Sequence, residues 1–358
     1  VRGIPERRGT RAATLLVLAA LPALLTPACR VADQGEPEDV PPPVMASSTR
    51  HAKPSGRRPG VVNIDTEQAL NSTRAAGTGI VLDPSGLVLT NNHVIQGATS
   101  IRGTDTDNRR SYTAQVVGYD KSGDIAVIRL TGASRLKPAV FGPASGVRLG
   151  DPVTAVGNAG GKGGTPTVVT GRVTALDQAV TARDESDGGS ERLTGLIETS
   201  APIKPGDSGG PLLNTAGKVI GINTAASAGF ELKKKGAQRG YAIPSDRALE
   251  IARQIQRGEA SRTVHIGPTA LLGVKVRANG TAAGALVAEV VPGTPADAAG
   301  LPVGATIVSL GGHAVDSPIG LTDLMLAHHP GDTVRIEWTT PRGPRGAADL
   351  HLTDGPPQ

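Results

Sequence analysis

Three features of the sequence predict a mainly β chain of two domains, the second a small mixed α/β unit. Short Val/Ile/Leu runs recur between glycine-rich turns from Val61 to about residue 224. A helical stripe follows over Ser245–Arg257, and a region of mixed texture then runs from 267 to 354. Many short β-branched runs separated by turn residues read as an all-β barrel or sandwich. The chain has 358 residues, 38% hydrophobic and only 2% aromatic, so it can bury two cores, built from Val, Ile, Leu and Ala.

The chain opens on a basic leader, Arg2, Arg7, Arg8 and Arg11, before the apolar run Ala12–Leu25. Pro22 breaks that run, which is shorter than the ~20 apolar residues of a membrane helix. Residues 1–29 therefore read as an export segment. The only cysteine, Cys29, follows in Leu25-Thr26-Pro27-Ala28-Cys29. This resembles a lipoprotein processing site, where the cysteine becomes a lipidated N-terminus and a membrane anchor. Thr26 and Pro27 fit that pattern poorly, and a free thiol beside an ordinary cleavage site is the other reading. One cysteine allows no intrachain disulfide.

Residues 30–60 carry the Pro41-Pro42-Pro43 run, Ser47-Ser48 and mixed charges, with few large apolar side chains. Such a segment buries too little surface to offset its ordering entropy, and it reads as a tether. Most of the net charge of +5 sits in residues 1–60, which hold nine basic against five acidic residues, leaving 28 against 27 elsewhere. The remainder is nearly neutral, which argues against nucleic acid as a partner.

From Val61 the strand candidates are Gly79–Leu82, Leu87–Thr90, Ala114–Gly118, Ile125–Leu130, Pro152–Gly157, Val168–Leu176, Leu193–Thr199, Gly210–Leu213 and Lys218–Asn223. Asp83-Pro84-Ser85-Gly86 is a tight hairpin connection. Ala248, Leu249, Ile251, Ala252 and Ile255 share one face of the Ser245–Arg257 helix, with Ser245 as its N-cap. The first domain is expected over 61–258, a linker over 259–266 and the second domain over 267–354.

Three segments carry chemistry. Thr90-Asn91-Asn92-His93 brings a histidine to a strand end. Asp124 immediately precedes the apolar run Ile125–Leu130. Pro205-Gly206-Asp207-Ser208-Gly209-Gly210-Pro211 brackets a serine with glycines. A serine hydroxyl is a weak nucleophile until a base takes its proton. Imidazole can do this and later protonate the leaving amine. A buried carboxylate fixes the imidazole tautomer. Small residues around Ser208 let the Gly206 and Ser208 N–H groups converge on a developing oxyanion. His93, Asp124 and Ser208 are thus the candidate catalytic residues, and Gly206 and Ser208 the oxyanion donors.

The stretch from Val61 to about Ile255 resembles the catalytic domain of HtrA-type (Deg) serine proteases. The likeness extends to Thr78–Val81, Gly118-Tyr119-Asp120, Gly150–Val153, Gly157-Asn158, Ile203–Pro211, Gly221–Thr224 and Gly240–Pro244. It implies a chymotrypsin-like fold of two perpendicular β-barrels and a serine endopeptidase of the cell envelope, acting on unfolded or damaged proteins without a cofactor. It maps the specificity pocket onto Ile203 and Ala226. Both are apolar, so Lys/Arg selectivity is not expected, and the small Ala226 leaves room for an aliphatic side chain. Ala159, Ser200 and Asp207 depart from the family's usual proline, aspartate and asparagine. The N-terminus lacks the aromatic residues through which many relatives trimerise, so a homotrimer stays open. Polar loops at Val180–Arg192 and Ser227–Arg239 are expected as solvated surface or as gates of the oxyanion hole.

Residues 267–354 resemble a PDZ domain, which binds peptide C-termini. Leu271-Leu272-Gly273-Val274 looks like its carboxylate-binding loop. A helix over Ile319–Ala327 places Leu321, Leu324 and Met325 at helical spacing, so that Leu321 and Met325 line the groove or close the core. The histidines at 265, 313, 328, 329 and 351 show no metal-ligand spacing. An inert peptide-binding scaffold is the competing function, and the intact His93, Asp124 and Ser208 weigh against it.

Overall fold

The computed structural model describes residues 60–69, 73–183, 190–224, 239–341, 343 and 345–358. The export segment with Cys29 and nearly all of the tether lie outside these, as do Ala226 and most of the loop expected at Ser227–Arg239.

The chain is mainly β. Strands β1 (Val61–Gln68), β2 (Thr73–Val81) and β3 (Leu87–Thr90) lead into a single helical turn, α1 (Asn92–Ile95). Strands β4 (Ser100–Asp105), β5 (Ser111–Asp120) and β6 (Ile125–Leu130) follow. They pair in the order β5-β4-β1-β2-β3-β6, and a further β5–β6 pairing closes a first barrel. At the β2–β3 hairpin the Asp83 carboxylate accepts from the Ser85 N–H at 2.7 Å, and Gly86 takes φ 101°. That is the turn chemistry the sequence announces.

A second closed barrel joins β7 (Pro152–Gly157), β8 (Thr167–Arg183), β9 (Ser190–Thr199), β10 (Pro211–Leu213), β11 (Val219–Thr224) and β12 (Gly240–Pro244). Here β8 and β9 pair out to Arg183 and Ser190. The polar segment expected as a loop over Val180–Arg192 is therefore strand at its two ends, which backbone pairing sustains whatever the polarity of the side chains, while residues 184–189 lie outside the described residues.

Why so many runs are apolar at every position is now clear. In β3 and β6, Leu87, Leu89, Ile125 and Val127 pack in a cluster shared with Val156, Ile222 and Ile243 of the second barrel. Their neighbours Val88, Ala126, Ile128 and Leu130 fill the first barrel's interior. Period-two alternation sorts side chains between two buried surfaces, so the strand reads as continuous.

Helix α2 (Ser245–Gln256) buries Ala248, Ile251, Ala252 and Ile255 against the shared cluster. Full burial stabilises by about 1.5–3 kcal/mol for each isoleucine. Pro244, not Ser245, occupies the N-cap position, and the Ser245 hydroxyl donates instead to the Gly142 carbonyl at 2.8 Å. The expected cap is corrected: a neighbouring carbonyl from another segment took the hydroxyl.

The segment expected as a linker over 259–266 ends in a strand, β13 (Val264–Ile266), which adds to β5 of the first barrel. Beyond it, β14 (Thr269–Leu271), β15 (Val274–Asn279), β16 (Ala282–Val290), α3 (Pro295–Ala298), β17 (Thr306–Leu310), β18 (His313–Ala314), α4 (Pro318–Met325), β19 (Thr333–Thr339), β20 (Gly346–His351) and β21 (Thr353–Gly355) complete the fold. The sheet order is β15-β16-β17-β19-β20, with β18 on β17, while β14 pairs with β21. Helix α4 starts at Pro318, where the Ser317 hydroxyl caps it by accepting from the Gly320 N–H at 3.0 Å, and it stops at Met325.

Candidate active site

The glycines of the nucleophile segment are dictated by space. Gly206 and Gly209 take φ 95° and 81°. A Cβ on Gly206 would collide with the Asn158 carbonyl, and one on Gly209 with the Thr78 carbonyl and the Thr90 hydroxyl. Only glycine serves at both. The resulting turn carries Ser208 just ahead of β10, largely buried at 4% exposure.

His93 sits on α1, just after β3 of the first barrel, with its side chain 22% exposed. Its Nδ1 lies 2.9 Å from both carboxylate oxygens of Asp124. The His93 backbone N–H donates to Asp124 Oδ1 at 3.1 Å, and the Thr224 hydroxyl donates to Oδ2 at 3.1 Å. Asn91 Nδ2 donates to the Asp124 carbonyl at 2.8 Å. Asp124 itself holds φ 52°, a left-handed conformation that a non-glycine residue adopts at some cost and that clusters at functional sites. A buried carboxylate held by three donors orients the imidazole and favours Nδ1 as its protonated nitrogen, which leaves Nε2 to act as base. Thr224 lies in the Gly221–Thr224 stretch and Asn91 in the histidine segment, but nothing in their spacing announces a bond to Asp124.

Two further carboxylates are perturbed in opposite senses. Asp207, beside the serine, is 2% exposed. Its Oδ2 accepts from the Lys204 N–H at 2.9 Å, while its Oδ1 is buried without a hydrogen-bond partner against Gly157. Burial pushes this carboxyl above its ordinary value, and the Lys204 N–H and ammonium offset that only in part. Glu198 on β9 is equally buried. Burial raises it too, but hydrogen bonds from Thr174, Arg239 and Tyr241 and the Arg239 charge prevail and hold it below its ordinary range. Arg239 reaches both Glu198 oxygens at 2.9 Å.

Of the pocket residues, Ile203 is half-buried, with Gly240 of β12 directly against it. In the PDZ-like region Leu272 is buried, and Gly273 takes φ 90°, where a Cβ would meet Thr294. The Leu272 and Gly273 carbonyls turn inward, accepting from Ala296 N–H at 3.0 Å and Val291 N–H at 2.9 Å. Leu271 ends β14 and Val274 opens β15, which is an edge strand of its sheet. Leu321 and Met325 are buried at 4% and 6% in the domain core, whereas Ile319 on the same helix is 40% exposed. Among the described residues no group of His, Cys, Asp and Glu is arranged to hold a metal.

Residues 77–222 match the model of the trypsin-like peptidase domain, and residues 270–340 that of the PDZ domain. Over 310 residues the chain is 34% identical to the serine protease PepD of Mycobacterium tuberculosis, covering 83% of this chain and 64% of PepD. It is 34% identical over 281 residues to the periplasmic pH-dependent serine endoprotease DegQ of Escherichia coli, covering 75% and 58%. Over 316 residues it is 31% identical to the Do-like serine protease HtrA of Bacillus subtilis, covering 84% of this chain and 68% of that protein. With both domains matched in order and that relative spanned over two thirds of its length, this chain belongs to the HtrA-type family of serine proteases.

Proposed function

We propose that this protein is an exported serine endopeptidase that cleaves unfolded or damaged proteins of the bacterial cell envelope. His93 acts as base, Asp124 orients it and Ser208 attacks the scissile carbonyl. The Gly206 and Ser208 N–H groups receive the oxyanion. The carrying observation is the His93–Asp124 pair, bidentate at 2.9 Å, with the glycine-bracketed turn of Ser208 bonded through Thr78 to the strand that leads to His93. Attack forms the Ser208 Oγ–carbon bond as His93 takes the hydroxyl proton. Collapse of the tetrahedral species returns that proton to the leaving amine, and water then hydrolyses the acyl-enzyme by the same route.

Export is supported by the basic leader and apolar run at the N-terminus and by the periplasmic designation of DegQ. Lipidation at Cys29 would add a membrane anchor. The PDZ domain takes peptide C-termini: with the Leu272 and Gly273 carbonyls drawn inward, the following N–H groups face outward beside the free edge of β15.

The test is labelling with a fluorophosphonate probe alongside casein cleavage. One probe per chain at Ser208 is expected, with Ser208→Ala unlabelled, folded and slower by ~10⁴–10⁶. A folded chain that neither labels nor cleaves, with or without PDZ-binding peptides, would instead make the protein an inert scaffold.

A further inference from the structure

Thr78 of β2 is fully buried and makes an unusual set of bonds, all directed to the other barrel or to the strand that leads to His93. Its N–H donates to the Ser208 carbonyl at 2.8 Å. Its hydroxyl donates to the Gly206 carbonyl at 2.7 Å and accepts from the Asn158 N–H at 2.9 Å. Its own carbonyl accepts from the Thr90 hydroxyl at 2.7 Å, two residues past which α1 begins.

Four successive peptide planes of the nucleophile segment are held. The Pro205 carbonyl accepts from Gly160 N–H at 2.8 Å, and the Asp207 carbonyl from Gly210 N–H at 3.1 Å. These two planes carry the N–H groups of Gly206 and Ser208. The planes that alternate with them, bearing the Gly206 and Ser208 carbonyls, each receive their shortest bond from Thr78. The Gly206 carbonyl also accepts from Asn158 N–H at 3.3 Å, and the other ends of these planes are tied by Asp207 N–H to the Lys204 carbonyl at 2.9 Å and by Gly209 N–H to the Asn223 carbonyl at 2.8 Å. In a trans peptide the carbonyl and the following N–H point in opposite directions, so fixing one fixes the other. Rotating the Gly206–Asp207 plane would drag its neighbours and misdirect the donors on either side.

We infer that Thr78 is a positioning residue for the oxyanion hole, its hydroxyl setting the Gly206 carbonyl so that the Gly206 and Ser208 N–H groups converge. It touches no substrate and acts through the backbone of the turn. Preorganisation of such donors is worth as much as the donors themselves, because a misdirected N–H does not meet the oxyanion. This inference rests on the endopeptidase reading above, and its test is scored against the wild-type rate, so the two fail separately. A wild-type chain that does not cleave sinks the earlier reading, whereas a cleaving chain indifferent to Thr78 sinks only this one.

The variants are Thr78→Val, which removes the hydroxyl at constant shape, and Thr78→Ser, which keeps the hydroxyl and deletes the methyl. Thr78→Val is expected to lose ~10²–10³ in kcat with KM changed less than about threefold, as for removal of one oxyanion donor. Thr78→Ser is expected to keep most of the rate. Affinity for a peptide boronate, which mimics the tetrahedral species at Ser208, should fall in Thr78→Val in step with kcat/KM, while affinity for the hydrolysed product peptide should not. If Thr78→Val does not fold, Thr78→Cys, with a thiol as a weaker donor at similar size, takes its place with an intermediate loss. A folded Thr78→Val or Thr78→Cys at full kcat overturns the inference. So does the reverse pattern, in which Ser loses activity and Val keeps it, because that would mean the methyl packed against Gly210 is what matters.

Discussion

At the scale of single residues, two buried carboxylates show how neighbours decide the sign of an electrostatic effect. Asp207 has one oxygen bonded and one without a partner, and its carboxyl is pushed above 3.8. A carboxyl raised in the folded state binds its proton more tightly there than in the unfolded chain. The associated stability is complete below pH 3.8 and is lost as pH rises through the folded value. Glu198, lowered below 4.5, behaves oppositely, contributing above that pH and losing its contribution as pH falls through the folded value. The only charge facing Asp207 among its named contacts is Lys204. Asp207→Asn, which cannot ionise, should therefore gain melting temperature on the wild type as pH is raised from about 4 to 7. A melting difference that stays constant across that range would mean Asp207 does not titrate there. Arg239→Ala should act on the acid side in reverse, shrinking the Glu198 contribution above its titration and leaving melting below it unchanged.

Secondary-structure elements were legible in proportion to how many of their faces are buried. Leu87–Thr90, Ile125–Leu130 and Pro152–Gly157 were readable to the residue because both faces pack, one inside a barrel and one between barrels. Strand β13 was not, since three residues of Val-His-Ile carry no period and its pairing to β5 is set by chain packing. The segments around His93, Asp124 and Ser208 were legible as motifs, whereas Thr78, Thr224 and Gly160 make backbone or cross-barrel bonds that leave no spacing in the sequence. Helix α4 was found with its end misjudged, and its apolar stripe at Leu321 and Met325 turned out to face the core. On the proposed reading, peptide recognition then falls to the edge of β15 and the loop Leu271–Val274, through backbone donors. On the full chain bearing Ser208→Ala, so that nothing is cleaved, a peptide with a free apolar C-terminus should bind with about −8 kcal/mol, in the micromolar range. Its C-terminal amide should bind at least about tenfold more weakly, because the N–H groups lose their anionic partner. Equal calorimetric affinity for the two forms would show that this loop does not read a carboxylate.

Across the whole molecule, the PDZ domain is seated on the first barrel rather than strung from it. His265 of β13 is 1% exposed and lies between the Leu326 carbonyl at 2.8 Å and the Pro268 carbonyl at 3.0 Å, stacked on His329 and in tilted ring contact with Tyr119. Leu326, just past α4, packs into the first barrel's own cluster. The segment after β21 returns to the same place: the Pro357 carbonyl accepts from Gly97 N–H at 2.7 Å and the Gln358 carbonyl from Asn92 Nδ2 at 3.0 Å, one residue from His93. At the centre stands the buried Tyr119 hydroxyl, 3.2 Å from the Thr269 hydroxyl and accepting from Gln358 N–H at 3.2 Å. Burial raises this phenol above its ordinary value, and those two bonds offset part of the cost. Tyr119→Phe keeps the ring and its contact with His265 and removes only the hydroxyl. Two bonds between the barrel and the PDZ side are lost, at about 0.5–1.5 kcal/mol each. Hydrogen exchange should read the change locally, with faster exchange at Thr269–Leu271 and at Gln358 while β1 to β6 keep their protection. If exchange at these residues is the same in Tyr119→Phe and wild type, the Tyr119 hydroxyl does not hold the junction.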